Sequence, residues 1–327
     1  MGLDPMVAAL RAAGEDTRLR LLALLADGEL SVSDLTDILG QSQPRISRHL
    51  KLMVEAGLLV RHREGAWAFF ALAPQGPGAD IARALIAALD PDDSVLAADR
   101  QRLKAVREAR SEAAQSYFAR HAADWDRIRS LHVADDVVEA AILKAIGDAP
   151  LGAVLDLGTG TGRMLQLLAE RAERLVGVDA SHAMLAVARA RLAEAQVRAE
   201  LRQCDVYALP FEMKGFDLIV LHQVLHFLDD PARVLREAAL RLRPGGRLLV
   251  VDFAPHAHEF LRSEQAHRRL GFSAAQIEGW FREADLIPVT HHDLAPEASE
   301  RDHLTVSLFV ARDPRPVLAH ETREIAS

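Results

Sequence analysis

Apolar residues recur at helical spacing near the start of the chain and at strand spacing through its second half. Residues 15–26 carry Leu19, Leu21, Leu22, Leu24 and Leu25 in a helical run that Asp27-Gly28 ends. Ser31 or Ser33 can cap a short helix reaching Leu39, which Gly40 stops. Ser42 caps another helix, with Pro44 in its first turn where a missing N–H costs nothing, and Gly57 ends it after Ala56. Residues 58–72 then alternate apolar and polar positions around Glu64-Gly65, a hairpin turn signal. The order over this part is helix, helix, short helix, helix, hairpin.

The segment 74–78, Pro-Gln-Gly-Pro-Gly, breaks the pattern. Ala-, Leu- and Arg-rich stretches at 79–89 and 94–117 read as helices suited to dimerisation and linkage. Short apolar runs follow at 153–157, 175–179, 199–204, 216–221, 247–253, 286–291 and 304–311, with helical stretches between them. That alternation predicts a doubly wound α/β sheet of seven strands. The expected organisation is an α+β winged helix-turn-helix domain at 1–75, a helical region at 76–114 and a Rossmann-like α/β domain at 115–327. At 327 residues, two domains fit the length.

Charge adds one contrast. The chain carries 39 Lys and Arg against 47 Asp and Glu, a net charge of −8. Yet between Gln41 and Arg63 there are five basic residues (Arg45, Arg48, Lys51, Arg61 and Arg63) against Glu55 alone. A local patch of this kind is enough for nucleic acid. The single cysteine, Cys204, excludes an internal disulfide and a cysteine-cluster zinc site. No apolar run reaches the ~18 residues of a membrane span, and the first residues lack a signal-peptide pattern. A cytoplasmic protein with no membrane association is expected.

In the helix after Ser42, Ile46, Leu50 and Met53 or Val54 share one face, so Gln43, Arg45, Ser47, Arg48 and Lys51 point outward. Gln and Arg can read base edges, while Ser and Lys mostly hold phosphate. Arg61, His62 and Arg63 on the hairpin are placed to straddle the adjoining backbone. The stretches Ser42-Gln43-Pro44, Arg48-His49-Leu50-Lys51 and Glu55-Ala56-Gly57-Leu58 resemble the ArsR/SmtB family of winged-helix repressors over roughly the first hundred positions. The resemblance implies a homodimer paired through the first helix and the helix after the wing, on a palindromic double-stranded DNA operator. Members that sense arsenite or cadmium usually carry Cys-Val-Cys where this chain reads Leu30-Ser31-Val32-Ser33-Asp34-Leu35. Hydroxyls are poor ligands for soft metals, so no metal is expected. The plainer reading is a unit that only dimerises or packs on the second domain.

Val154-Leu155-Asp156-Leu157-Gly158-Thr159-Gly160-Thr161-Gly162-Arg163 runs from a strand into a glycine-rich turn and then a helix. The dinucleotide fingerprint would need glycine where Arg163 stands. The spacing, with Asp156 before it, instead resembles the first motif of class I methyltransferases. Asp179 ends the second strand 17 residues past Gly162, Asp205 follows the third, and Arg243-Pro244-Gly245-Gly246 turns into the fifth. The resemblance covers about residues 115 to 312. It implies S-adenosylmethionine, or S-adenosylhomocysteine as ligand: Gly158, Gly160 and Gly162 on the methionine part, Asp156 ordering the loop, Asp179 on the ribose beside Ala180, and Asp205 with Val206 on the adenine. Met184 either packs on the adenine face or belongs to the core. Tyr117 and Trp125, within Tyr117-Phe118-Ala119-Arg120-His121-Ala122-Ala123-Asp124-Trp125-Asp126, resemble the lid of ubiquinone/menaquinone-type small-molecule methyltransferases; plain helix packing is the alternative.

Methyl transfer from a sulfonium asks for positioning and, for some acceptors, a base. Histidines cluster after the fourth and fifth strands: His222 and His226, then His256, His258 and His267. His222 and His256 are the stronger candidates and His226 the weaker; each can also simply cap a loop. Too few cysteines argue against arsenite as acceptor, and no Asn/Asp-Pro-Pro-Tyr marks nucleobase methylation, so a small-molecule acceptor is expected. Two functions stay open: a regulator whose methyltransferase-like domain senses the cofactor, or a working enzyme whose winged helix serves autoregulation or dimerisation.

Overall fold

In a computed structural model of the protein, residues 2–64, 67–125, 135–295 and 304–316 are described. The chain forms two units: residues 1–116 with 256–270, and residues 117–255 with 271–327. A segment from within the stretch of methyltransferase resemblance therefore belongs to the first unit.

The first unit contains α1 (Leu3–Ala13), α2 (Asp16–Leu25), β1 (Leu30–Ser31), α3 (Val32–Leu39) and α4 (Gln43–Glu55). The wing, β2 (Leu59–Glu64) and β3 (Trp67–Leu72), follows, then α5 (Pro77–Ala88) and α6 (Ser94–His121), whose last residues belong to the second unit. Ser31, not Ser33, starts α3: its Oγ accepts from the Asp34 amide at 3.2 Å and Asp34 Oδ2 accepts from the Ser31 amide at 3.1 Å. Ser42 takes the cap position of α4 but makes no side-chain cap bond; its carbonyl accepts from the Arg45 amide at 3.0 Å instead. Glu15 caps α2 by accepting from the Arg18 amide at 3.0 Å. The two-residue β1 pairs antiparallel with β3 and is too short to show a period in the sequence. Gly65, in the expected hairpin turn, lies outside the described residues. Leu21, Leu22, Leu35, Ile38, Ile46, Leu50 and Met53 are fully buried and meet Phe70 of the wing in one core.

Strand alternation turns Phe69 to the face opposite Phe70, and residues 256–270 cover it. The Arg269 guanidinium lies 3.8 Å from the Phe69 ring centroid and pairs with Glu29 at 2.9 Å. Arg262 lies 5.0 Å from the Trp67 ring centroid. Arg268 reaches Asp34 at 3.8 Å, and Arg110 from α6 also pairs with Asp34. Burial pushes the Asp34 carboxyl up, but the hydrogen bond and charge of Arg110, helped by Arg268, outweigh it and hold it below the ordinary carboxylate range. Guanidinium is suited to this role: it is flat, weakly hydrated and able to stack and pair at once.

The second unit is built on a seven-stranded sheet. Its strands are β4 (Leu151–Leu157), β5 (Ala172–Asp179), β6 (Glu200–Gln203), β7 (Phe216–His222), β8 (Leu242–Phe253), β9 (Ile287–Leu294) and β10 (Val306–Arg312), in the order β6-β5-β4-β7-β8-β10-β9. β4 to β8 pair parallel, and β10 runs antiparallel to both β8 and β9. Its helices are α7 (Asp135–Ile146), α8 (Arg163–Leu167), α9 (His182–Glu194), α10 (Pro231–Ala239) and α12 (Ala274–Glu283); the short α11 (Phe260–Glu264) lies in the first unit. β8 starts five residues earlier than the apolar run suggests, because Arg243-Pro244-Gly245 is drawn into an irregular pairing with β7. The chain moves outward from β4 to β6 and then returns to the other side of β4 as β7. Ligands bind at such a reversal, outside the carboxyl ends of the strands. No described helix is long and apolar enough to cross a membrane.

Arg269 is fully buried, so Arg269→Ala removes the guanidinium partner of Glu29 and opens the Phe69 face. Its expected cost is about 3–5 kcal/mol, read as a lower denaturant midpoint at unchanged slope for the first unit. A loss near zero would mean the ion pair does not hold this segment.

Candidate functional site

At the strand reversal, β4 ends in Leu157 and the chain turns through Gly158, Gly160 and Gly162 at φ of +72°, +54° and +81°. The turn is anchored twice to β5: the Gly158 and Thr159 amides donate to the Val178 carbonyl at 2.8 and 2.9 Å. Asp156, buried in β4, accepts from the Thr159 hydroxyl at 2.7 Å and so fixes the loop from beneath. A methyl built on Gly158 would lie 2.6 Å from Val224 Cγ2, which restricts this position to glycine for space as well as for φ.

Asp179 ends β5 and accepts from two amides, Gly160 at 2.9 Å and Ser181 at 2.8 Å. Burial pushes its carboxyl up, and the two amides pull the other way. Each oxygen keeps a further lone pair for a hydroxyl donor. The Cys204 amide donates to the Asp179 carbonyl at 3.0 Å, and the Gln203 side chain donates to the Ala180 carbonyl at 3.0 Å. These bonds bring the end of β6 beside Asp179, and with it Asp205 and Val206. Asp205 turns its own loop by accepting from the Tyr207 amide at 2.9 Å. Met184 is buried in the first turn of α9, and Val206 joins the main core.

An aromatic group stands by the glycine loop. Trp125 Nε1 lies 3.8 Å from the position a Gly160 side-chain carbon would take. Phe118 meets Trp125 edge-on at 5.3 Å and Phe227 edge-on at 4.8 Å between ring centroids. Tyr117 is buried against Phe118 and His121. Asp126, the last residue of that stretch, is outside the described residues. His226 stacks at a tilt on Phe227 with centroids 4.0 Å apart and bonds through Nδ1 to Asp252 Oδ1 at 2.8 Å, both groups being buried.

His222 closes β7, half-buried, followed by Gln223, whose φ of +54° is strained for a side-chain-bearing residue. His256 falls in the first unit, where its amide donates to the Leu270 carbonyl at 3.0 Å and its Nδ1 accepts from the His258 amide at 3.3 Å. The second unit therefore gathers Asp156, the three glycines, Asp179, Ala180, Met184, Asp205, Val206, Tyr117, Trp125 and His222, without His256. Sequence reasoning passed over Thr159, Phe118, Phe227 and Asp252. An acid interrupting the apolar run of β8 just before its last residue was the available signal for Asp252.

In the first unit, Gln43, Arg45, Ser47, Arg48 and Lys51 are all exposed along α4, while Ile46, Leu50 and Met53 face inward. Arg61 and Arg63 are exposed on β2, and His62 between them reaches Glu29 at 3.5 Å. Burial lowers the His49 pKa, and the charges of Arg18, Arg45 and Arg48 add to the effect against Glu15. Arg45 and Lys51 have only loose contacts with Glu15 and Glu55, at 3.8 Å each, which leave them free to turn to an anion. Among the described residues no group of three or more His, Cys, Asp or Glu could hold a metal ion.

A family model described as a methyltransferase domain matches residues 155–250, and one described as bacterial regulatory protein, arsR family, matches residues 15–60. A demethylmenaquinone methyltransferase of Lactococcus lactis is 31% identical over 155 residues, which cover 46% of this chain and 62% of that protein. The chain thus spans less than two thirds of that relative. A ubiquinone biosynthesis O-methyltransferase of Pseudomonas paraeruginosa is 34% identical over 177 residues, covering 48% of this chain and 76% of that protein. Among solved structures, a Burkholderia thailandensis 1,6-didemethyltoxoflavin-N1-methyltransferase, with 1,6-didemethyltoxoflavin and S-adenosylhomocysteine bound, has a TM-score of 0.51 at 22% identity. It covers 63% of this chain and 90% of that one.

Gly158→Ala tests the loop. The left-handed φ alone costs about 1–2 kcal/mol, and the contact with Val224 adds to it. The second unit should melt at a lower temperature, and an unchanged melting point would mean the loop relaxes freely.

Proposed function

We propose, from the premise that the chain belongs to the ubiquinone/menaquinone-type methyltransferases and carries an arsR-family module, that it is a DNA-binding transcriptional regulator with a methyltransferase domain that methylates a small molecule. S-adenosylmethionine is the donor, and it supplies an electrophilic methyl carbon on a sulfonium. The observation that carries this reading is the Asp179 carboxylate bound to the Gly160 amide at the strand reversal. The cradle fits such a cofactor. Its glycines keep side chains out of the crevice, and Asp179 offers lone pairs to ribose hydroxyls. Asp205 and Val206 are near for the adenine, and Trp125 stands beside Gly160.

The DNA-binding half rests on α4 and the wing. Seven exposed polar or basic side chains, Gln43, Arg45, Ser47, Arg48, Lys51, Arg61 and Arg63, suit a major groove and its flanking phosphates. Exposed Leu3, Met6 and Leu10 on α1 favour a homodimer, since they lie one helical turn apart on a surface that water disfavours. A cytoplasmic location follows from that role.

A second reading, sensing without turnover, is favoured by one observation: residues 256–270 follow directly on β8 yet pack inside the first unit. Occupancy at the end of β8 can therefore reach the wing through the backbone itself. Affinity for the upstream DNA, measured at fixed salt with S-adenosylmethionine, with S-adenosylhomocysteine and with neither, separates the readings. A several-fold shift by one form supports sensing. Tight DNA binding that ignores both forms supports an enzyme that only shares its chain with a repressor.

Asp179→Ala should weaken S-adenosylhomocysteine binding by more than about tenfold in calorimetry, because a charge-assisted contact is lost. Burial raises the Asp179 pKa, so the carboxylate is lost on acidification at a pH above the ordinary aspartate value of about 4. Affinity should fall there in the wild type and show no such acid limb in Asp179→Asn. Arg48→Ala should abolish operator shifts in gels while leaving cofactor affinity intact; a normal shift would remove α4 from the DNA face.

A further inference from the structure

His226 and Asp252 are a buried pair that the cofactor cradle does not use. His226 follows β7 in a short 3-10 turn, and Asp252 is the penultimate residue of β8, so both sit at carboxyl ends of parallel strands. Asp252 is held on both sides: Oδ1 accepts from the Phe253 amide at 2.8 Å as well as from His226 Nδ1 at 2.8 Å. Its other oxygen faces the His226 amide at 3.4 Å. With Nδ1 committed as donor to a carboxylate, the neutral imidazole carries its basic lone pair on Nε2. The ring lies between Phe227 at 4.0 Å and Phe253 at 5.0 Å. Phe227 continues through Phe118 to Trp125, and Trp125 stands beside Gly160. One unbroken aromatic wall thus runs from the glycine loop to this imidazole.

We propose that His226 is the catalytic base of methyl transfer and Asp252 its positioning residue, an assignment that rests on the methyl-transfer reading above. The acceptor is a small molecule with an ionisable O–H or N–H. As its lone pair forms the bond to the methyl carbon, the electron pair of the broken carbon–sulfur bond stays on sulfur. The acceptor's proton passes to Nε2. Asp252 stabilises the imidazolium, which then returns the proton to water. His256 belongs to the first unit.

The test compares wild type, His226→Gln and Asp252→Asn, each as the full chain. Transfer of a tritiated methyl from S-adenosylmethionine is followed against pH, with a cell extract freed of macromolecules as acceptor source. Two readouts do not depend on turnover: S-adenosylhomocysteine affinity by calorimetry, and the hydrogen-bonded Nδ1–H proton signal of His226 by NMR. The expected result is a rate lower by roughly 100- to 10,000-fold in both variants, at unchanged S-adenosylhomocysteine affinity. The Nδ1–H signal should be present in the wild type and lost in Asp252→Asn. At saturating S-adenosylmethionine, which removes the Asp179 contribution, the pH profile of whatever rate His226→Gln retains should differ from that of the wild type. If burial makes Asp252→Asn misfold, seen as lost S-adenosylhomocysteine binding, His226→Gln decides alone. A wild-type rate and pH profile in His226→Gln, with binding intact, overturns the base. No transfer by a wild type that still binds S-adenosylhomocysteine overturns the methyl-transfer reading itself, and the base with it.

Discussion

The Gly160 and Ser181 amides both donate to the Asp179 carboxylate, at 2.9 and 2.8 Å, and the arrangement of the second unit turns on that pair of bonds. They tie the loop after β4 to the start of the helix after β5, across the place where strand order reverses. They act with the Gly158 and Thr159 bonds to Val178 and the Thr159–Asp156 bond in holding the glycine loop over the strand ends, and they offset the conformational freedom that residues at positive φ give up without side-chain packing in return. The same bonds leave a carboxylate in a half-buried setting that raises its pKa. A group held in that state gains most from a ligand that brings hydroxyl donors, so in the proposed reading a structural anchor doubles as a recognition element.

The first unit solves a different problem. A three-stranded winged sheet has two faces, and its helices bury only one. Arg269 and Arg262 cover the other by stacking on Phe69 and Trp67, while Glu29 and Asp34 meet the charges. Buried ion pairs contribute little net stability, but losing one partner is costly, so such contacts favour one arrangement over others. Asp34 also closes the capping box of α3 and pairs with Arg110 of α6. The helix before α4, the long α6 and a segment from beyond β8 therefore share a single carboxylate. In metal-sensing members of the resembled family the same stretch carries thiolates; here it answers to arginines of its own chain.

In these assignments both units mount their side chains on rigid elements. The exposed side chains of α4 are aimed by three buried ones, and the His226–Asp252 pair is aimed by two parallel strands.

Local signals determined much of this protein. Gly40 and Gly57 end helices where their left-handed φ permits. The Gly158 to Gly162 spacing, and Asp179 at the end of an apolar run, made the cradle legible because each acts within a few residues. The outward face of α4 followed from helical period alone. Other features were decided by tertiary structure. The pairing of His226 with Asp252 joins residues 26 apart in sequence and needs β7 and β8 side by side in register. The placement of residues 256–270 with the winged helix joins Arg269 to Glu29 across 240 residues. Periodicity reports which face of an element is apolar; it carries no information about which distant segment comes to cover it.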